Sequence, residues 1–291
     1  MIIDAHSHML QDFHPCSELP QTFDDLENID VDGLCKGLDA FGVENTLTLS
    51  QEMTRVRNDW LGSNELSADL QQRFEGRFTG IASFEPLTPA EQFNGPRFEQ
   101  VRKLLRNRRV KGLLITPPYG NFQLNDRRAY PFYQLAVECD VPIYVHLVQP
   151  PDEWGEPFNP PKHLCTLEQV VGDFPALRFN IEHMAQPRCE NLLELMAQHP
   201  NIWTDITKLL VNPQLPHYLK TALEGGFLDR VFWGTDYVGS DAATYLEWIR
   251  TGVDFVRYQL NPLLKGHNFS PLKARHIDGL LGDNIRRFLR F

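Results

Sequence analysis

The chain has 291 residues, of which 42% are hydrophobic and 23% are charged, so it can bury a large core and is not disordered as a whole. Its net charge of −10 would repel a phosphate backbone, which argues against nucleic acid as a partner. Its five cysteines are scattered and never form a CxxC pair, which argues against a disulfide framework and a thiolate zinc site.

Short apolar runs recur along the whole chain and predict buried parallel strands. They are rich in β-branched and aromatic residues, as strands covered on both faces are. In chain order the predicted strands are Ile2–Ala5, Thr46–Leu49, Phe78–Phe84, Val110–Thr116, Pro142–Leu147, Arg178–Glu182, Asn201–Asp205 and Val231–Gly234.

Amphipathic segments lie between these runs and predict helices. Val31, Leu34, Leu38 and Phe41 recur at helical spacing, and Gly42 supplies a stop signal. Further helices are predicted over Tyr130–Cys139, around Leu192–Met196 and around Leu219–Phe227.

The alternation of strands and helices predicts a fold class. Parallel strands joined by helices require right-handed crossovers. Eight such units in a chain of this length favour a (β/α)₈ TIM barrel over an open sheet, since these barrels need about 250 residues. We expect residues 1–291 to form one domain of this kind. Long connections after three strands, near residues 9–30, 50–62 and 148–162, would lie at the carboxyl face, where barrel active sites are built.

The N-terminus and the hydropathy predict a cytoplasmic protein. The sequence begins Met-Ile-Ile-Asp-Ala-His, without the basic and apolar regions of a signal peptide. Apolar runs stay well below the roughly 18 residues that a membrane span needs. We therefore expect no membrane partner, and the odd number of cysteines fits a reducing compartment.

Polar residues stand at the ends of four predicted strands. His6 and His8 are two apart on the first strand, so both can face the barrel axis. His146, His183 and Asp236 end or follow three later apolar strands. A buried imidazole or carboxylate needs a partner, because desolvation without one is costly. Several such groups on one rim are best explained by a shared metal ion.

The ordered set of motifs resembles the amidohydrolase superfamily, in particular the branch that includes aminocarboxymuconate-semialdehyde decarboxylase. The resemblance extends over nearly the whole chain. Its landmarks are Ile3–His8, Pro142–His146, Ile181–Met184, Trp233–Tyr237 and Leu281–Asn284.

The resemblance implies a set of site residues and a cofactor. His6, His8, His146 and Asp236 match the family's metal ligands, and His183 matches its catalytic histidine. The ion implied is Zn²⁺, and Mn²⁺ also suits histidine and carboxylate ligands.

Two further expectations follow from the resemblance. Binuclear relatives bridge their metals with a carboxylated lysine at the end of the fourth strand, whereas Lys111 lies at the start of that strand. We therefore expect a single divalent ion. Proteins of this family are often homodimers, which makes a homodimer the expected assembly.

The expected reaction is hydrolysis or decarboxylation of a small carboxylated or carbonyl-bearing molecule. Asp236 is the expected proton carrier, and His183 would polarise a substrate oxygen or donate a proton. The same residues serve both chemistries, and we favour hydrolysis by a small margin.

Residues for substrate selection are expected in the loops. Arg55 and Arg57 follow the second strand and can bind a substrate carboxylate, with Lys208 a weaker candidate. The aromatic side chains considered for a pocket wall are Tyr119, Phe84 and Trp154.

Three acidic residues are expected to play supporting roles. Asp4 would support the ligand-bearing first strand. Asp205 and Glu182 would serve the structure or orient imidazoles.

Two other functions remain open at this point. One is a metal-independent hydrolase of the lactonase type, which keeps the barrel and Asp236, although His6, His8 and His146 argue against it. The other is a catalytically silent binding barrel, although a complete set of polar rim groups argues against it.

Overall fold

Strands and helices alternate along the chain much as the apolar runs predict. The computed structural model describes residues 1–26, 29–148 and 160–291, except for the side chains of residues 160–163. The strands are β1 Ile2–Met9, β2 Phe13–Pro15, β3 Val43–Leu49, β4 Gln51–Met53, β5 Asp59–Leu61, β6 Phe78–Ser83, β7 Gly112–Ile115, β8 Ile143–Val145, β9 Phe179–Ile181, β10 Ile202–Asp205, β11 Val231–Phe232 and β12 Val238–Gly239.

The α-helices fill the connections between strands. They are α1 Val31–Phe41, α2 Thr54–Arg57, α3 Asn64–Arg73, α4 Gly95–Arg106, α5 Pro117–Gly120, α6 Tyr130–Glu138, α7 Pro160–Asp173, α8 Cys189–Gln198, α9 Leu215–Glu224, α10 Ala242–Asp254, α11 Leu260–Gly266, α12 Ala274–Asp278 and α13 Asn284–Leu289. The predicted stop after α1 is confirmed, because Gly42 caps it with a left-handed φ of 71°. Phe227 lies beyond the end of α9, which the Gly225-Gly226 pair follows.

The main sheet is parallel and closes on itself. Its order is β11-β10-β9-β8-β7-β6-β3-β1-β12. The chain after β11 also bonds to β1: Trp233 O accepts from Ala5 N at 3.3 Å, and His6 O accepts from Asp236 N at 2.7 Å. Since the last barrel strand returns to the first, the (β/α)₈ prediction is confirmed.

A small antiparallel sheet stands over the carboxyl end of the barrel. It has the order β2-β5-β4 and is built from the connections that follow β1 and β3. These are two of the three long connections that the sequence predicts. The third, with its proline-rich segments and Trp154, lies mostly outside the described residues.

The core has two layers. Inside the barrel, Ile3, Ala5, Leu47 and Phe232 pack with other inward side chains, and Phe288 of α13 packs against them. A larger outer layer fills the space between the strands and the helices. None of the helices in the described part of the chain is long and apolar enough to cross a bilayer.

An irregularity in β1 turns its histidines toward the barrel axis. Asp4 pairs with Thr46 and Ser7 pairs with Thr48, so three steps along β1 match two along β3. The side chains of Ile3 and Ala5 face the barrel interior, so regular alternation along the strand would turn the side chain of residue 7 inward next. A bulge of this kind re-aims side chains at a barrel rim, and here it presents positions 6 and 8 instead.

Candidate metal centre

The five residues predicted for the centre lie at the carboxyl ends of barrel strands. His6 and His8 belong to β1, while His146, His183 and Asp236 follow β8, β9 and β11. All five are buried, and their exposed fractions range from 0% for His6 to 7% for His146. The fold therefore gathers residues that are up to 230 positions apart in the chain.

Two overlapping triads define the geometry. Ligand atoms of His6, His8 and Asp236 lie within 4.8 Å of one another, and so do those of His6, Glu182 and His183. Asp236 Oδ1 is 3.2 Å from His6 Nε2 and 3.7 Å from His8 Nε2. The centre is compact enough for several of these side chains to share one cation.

His146 belongs to neither triad but is joined to the second. Its Nδ1 lies 2.7 Å from Glu182 Oε2. Its ring stands edge-on to that of His183, with 5.4 Å between centroids. The predicted ligand set is therefore brought into one cluster, with His146 at its margin.

Each of the four imidazoles uses Nδ1 for a contact within the protein. Metal-binding histidines usually donate one ring N–H to a carboxylate or carbonyl and turn the other nitrogen to the ion. The same pattern recurs here, so the Nε2 atoms of the four rings remain available to bind an ion at the centre. The Nδ1 partners are Asp205 Oδ2 for His6 (3.2 Å), Leu49 O for His8 (2.7 Å), Glu182 Oε2 for His146 (2.7 Å) and the Thr207 hydroxyl for His183.

Several buried nitrogen and oxygen atoms that face the centre have no hydrogen-bond partner among the described residues. These atoms are His6 Nε2, His146 Nε2 and Glu182 Oε1. Leaving buried polar atoms unpaired is costly, so their concentration at one place indicates a missing partner. A divalent cation would satisfy imidazole nitrogens and carboxylate oxygens together, so the residues present fit such an ion.

The electrostatics also favour a cation. Burial opposes ionisation of Asp236, but the neighbouring imidazoles of His183 and His6 and the Lys208 ammonium hold its pKa well below the usual range. Burial lowers the pKa of His8 and of His183 to about 4.

His6 behaves differently from the other rings. Burial alone would lower its pKa, but the carboxylates of Glu182, Asp205 and Asp236 raise it well above the usual value. The three carboxylates around His6 therefore favour a positive charge at this place. A proton on His6 supplies that charge, and a bound metal ion could supply it instead.

The backbone is constrained at three positions around the centre. His183, Lys208 and Asp236 have φ values of 53°, 59° and 56°, in the left-handed region that residues with a Cβ seldom adopt. Such conformations concentrate at functional sites, where the surrounding structure stabilises them.

The supporting acids are placed as the sequence predicts. Asp4 accepts hydrogen bonds from Thr235 N (2.8 Å) and from the hydroxyls of Thr235 and Tyr245, so it ties β1 to the last barrel strand. Asp205 orients His6, and Glu182 orients His146. The sequence did not indicate that Glu182 would also face the centre.

Arg55 and Arg57 point to different surroundings, although both lie on α2. Arg57 is the arginine whose charge acts on Tyr119, a residue of α5 whose ring stacks on His146 at 5.0 Å. Arg55 is nearly buried and forms an ion pair with Glu91. Arg57 pairs with Asp59 at 3.5 Å.

Tyr119 and Phe84, two of the aromatic residues considered for a pocket wall, lie in different surroundings. Tyr119 covers His146, and burial followed by the charges of Glu182 and Asp236 raises its pKa. Phe84 is fully buried and stacks on Phe132 at 4.3 Å, so it belongs to the core and not to a pocket wall. The ring of Phe84 sits in the outer core because the helix α6 covers that side of β6.

The sequence matches the amidohydrolase family over residues 3–291. The chain belongs to the amidohydrolase family. Among curated proteins, none matches this sequence.

Solved structures share the amidohydrolase fold at low sequence identity. A TIM-barrel protein from Bordetella bronchiseptica is 20% identical, with 90% of this chain and 83% of that chain covered and a TM-score of 0.65. A probable 2-pyrone-4,6-dicarboxylic acid hydrolase from Acinetobacter baumannii is 16% identical, with coverage of 100% and 99% and a TM-score of 0.62. A 5-carboxyvanillate decarboxylase from Novosphingobium aromaticivorans, complexed with manganese, is 16% identical, with coverage of 88% and 79% and a TM-score of 0.59.

Proposed function

We propose that this amidohydrolase is a mononuclear metal-dependent enzyme that hydrolyses or decarboxylates a small carboxylated molecule. The observation that carries the proposal is the shared orientation of the four imidazoles, each held through Nδ1 with Nε2 left for the centre. His6, His8, His146 and Asp236 would hold the ion. Zn²⁺ is the ion we propose, with Mn²⁺ as the alternative that the decarboxylase relative supports.

A bound divalent ion would act as a Lewis acid that stabilises negative charge developing on a substrate oxygen. His183 is not needed to hold the ion, so its Nε2 is available to hydrogen-bond a substrate oxygen or to move a proton. This Nε2 lies 4.0 Å from Asp236 Oδ2, so the imidazole and the carboxylate are neighbours and one bridging water could carry a proton between them.

The substrate class rests on the cationic groups near the centre. Tyr119 stacks on His146, and the charge of Arg57 acts on Tyr119, so a guanidinium and a phenol could together bind a carboxylate there. Lys208 adds a second positive charge at Asp236. Two of the three relatives named above, the probable 2-pyrone-4,6-dicarboxylic acid hydrolase and the 5-carboxyvanillate decarboxylase, carry the names of carboxylated ring compounds. These names support unsaturated or aromatic carboxylic acids as the first compounds to test.

The experiment combines metal analysis with product analysis. Purified protein is assayed for bound metal, stripped with a chelator and reloaded, and each form is incubated with a panel of aromatic and unsaturated carboxylic acids. Release of CO₂ identifies a decarboxylase, and incorporation of ¹⁸O from water without CO₂ identifies a hydrolase. Turnover that is equal in stripped and reloaded protein would contradict the proposal.

A metal-independent hydrolase is the second candidate, and one contact favours it. The Lys208 ammonium pairs with Asp236 at 2.6 Å, so the chain itself supplies a cation at the carboxylate. The stripped protein decides between the two, since only this candidate predicts full turnover without metal. A silent binding barrel predicts no turnover in any form and binding that His183→Ala and Asp236→Asn leave unchanged.

Three properties of the whole protein complete the proposal. We expect a small-molecule substrate and no nucleic-acid or membrane partner, which the net charge of −10 supports in the case of nucleic acid. We also expect a cytoplasmic location and a homodimer.

A further inference from the structure

Two buried carboxylates lie behind the imidazoles, and only one of them is fully hydrogen-bonded. Asp205 and Glu182 are 0% and 1% exposed. Asp205 Oδ1 accepts from the backbone N–H groups of His183 (3.0 Å) and Thr207 (3.2 Å). Its Oδ2 accepts from Asn180 Nδ2 at 2.9 Å and contacts His6 Nδ1 at 3.2 Å. The charge of Asp205 is therefore satisfied inside the protein.

Glu182 is satisfied at one oxygen only. Its Oε2 takes the N–H of His146 Nδ1 at 2.7 Å. Its Oε1 has no donor within the described ranges, although it is buried. A buried carboxylate oxygen without a donor is strongly disfavoured unless a cation is close. The difference from Asp205 shows that orienting an imidazole does not by itself explain Glu182.

The free oxygen of Glu182 faces the centre. Oε1 is 3.8 Å from His6 Nε2, which is itself unpartnered and is the atom that lies 3.2 Å from Asp236 Oδ1. Ligand atoms of Glu182, His6 and His183 lie within 4.8 Å of one another. A cation held by His6 and Asp236 would therefore also lie near this oxygen.

We propose that Glu182 has two roles, with Oε2 orienting His146 and Oε1 serving as a further donor to the ion. This inference rests on the proposed metal-dependent function. It adds a second carboxylate to the three imidazoles and Asp236. Five donors with two oxygens exceed the four that a closed zinc site uses, and they suit ions such as Mn²⁺ that accept more oxygen ligands.

The test compares Glu182→Gln with Asp205→Asn in the Co²⁺-loaded protein. Each variant neutralises one buried carboxylate and keeps an oxygen that can accept an imidazole N–H, but only Glu182 has an oxygen aimed at the centre. Affinity is measured by competition with a chelator. The visible absorption of Co²⁺ reports the coordination number, because four-coordinate Co²⁺ absorbs more strongly than five- or six-coordinate Co²⁺.

We expect Glu182→Gln to weaken Co²⁺ binding by about 100-fold or more and to intensify the visible bands. Asp205→Asn should weaken binding by about 10- to 100-fold, as outer partners of metal ligands do, without changing band intensity. Equal affinity losses and unchanged bands in both variants would overturn the inference and leave Glu182 as an orienting residue only.

A control and a second measurement keep the outcome unambiguous. Wild-type protein that binds no Co²⁺ would contradict the proposed function itself, which separates that failure from the failure of this inference. If Glu182→Gln does not fold, a crystal structure of the Co²⁺-loaded wild type gives the answer directly. Oε1 bonded to the ion supports the inference, and Oε1 turned away from it overturns the inference.

Discussion

Lys208 Nζ lies 2.6 Å from Asp236 Oδ2, on a carboxylate whose other oxygen faces His6 Nε2 at 3.2 Å. The two oxygens of Asp236 are therefore divided between an ammonium and the imidazoles. The Lys208 side chain is more than half exposed, while Asp236 is nearly buried, so a surface cation reaches down to the centre. This ion pair places a positive charge beside a proposed metal ligand.

Replacing Lys208 by Met should strengthen metal binding. The ammonium and a divalent ion are attracted to the same carboxylate and repel each other, so removing the ammonium favours the ion. We expect the dissociation constant to fall by about tenfold, which corresponds to about 1.4 kcal/mol. Chelator competition measures the change, with Lys208→Arg as the charge-conserving control. A weaker affinity in Lys208→Met would show that Lys208 supports the site instead of competing with the ion.

Replacing His183 by Asn should separate catalysis from metal binding. His183 is held by Thr207 through Nδ1 and is not one of the four proposed ligands, so its loss should leave the bound metal in place. General acid–base groups contribute about 10²- to 10⁴-fold to rate, and we expect kcat to fall within that range. Metal content is measured on the same samples, and loss of the metal with the activity would assign His183 to the ligand set.

Arg57 and Arg55 should differ as substrate contacts. Arg57→Met should raise KM for a carboxylated substrate by about tenfold or more, because the guanidinium beside Tyr119 would no longer bind the carboxylate. Arg55→Met, on the same helix, serves as the matched control and should change KM less, since the Arg55 side chain is nearly buried against Glu91 while that of Arg57 is about a third exposed. Steady-state kinetics with one substrate compare the two, and a larger effect at Arg55 would reverse the assignment.

Glu85 should make the stability of the protein depend on pH. Burial, with a contribution from the charge of Glu52, raises the pKa of Glu85 to about 8 from an ordinary value of 4.5. Between these two values the folded protein holds a proton that the unfolded chain has lost, so the free energy of unfolding falls as pH rises through this window. Glu85→Gln carries no charge at any pH and should reduce this dependence.

Urea unfolding at pH 6 and pH 8.5 checks the prediction for Glu85. We expect Glu85→Gln to remove roughly 2 kcal/mol of the stability that the wild type loses between these values. The exposed Glu75→Gln serves as a control and should follow the wild type. An identical pH dependence in wild type and Glu85→Gln would show that this carboxyl is ionised in the folded protein.

The sequence predicted the barrel strands because a buried parallel strand has to be an apolar run. Ile143–Val145 and Phe179–Ile181 lie inside the predicted ranges for this reason. The residues that end these runs, His146 and His183, were conspicuous because imidazoles are costly to bury alone. The ends of these strands and the polar residues there could therefore be predicted from the sequence alone.

Other features depend on contacts between distant segments and could not be read from one sequence. The bulge between Asp4 and Ser7 is defined only by the pairing of β1 with β3, and it decides which side chains face the axis. Phe84 is a core residue because Phe132 of α6 stacks on it, a contact between segments that are distant in the chain. Glu182 has a free oxygen whereas Asp205 does not, because the partners of Asp205 come from three separate parts of the chain, at His6, at Asn180 and His183, and at Thr207.

The central claim is that His6, His8, His146 and Asp236 bind one divalent ion. The most direct measurement is the metal content of the purified protein by mass spectrometry, beside the double variant His6→Ala/His8→Ala. We predict one Zn²⁺ or Mn²⁺ per wild-type chain and less than about a tenth of that in the variant, since two of the three imidazole ligands are removed. A wild-type chain that stays folded and active with far less than one ion would contradict the claim.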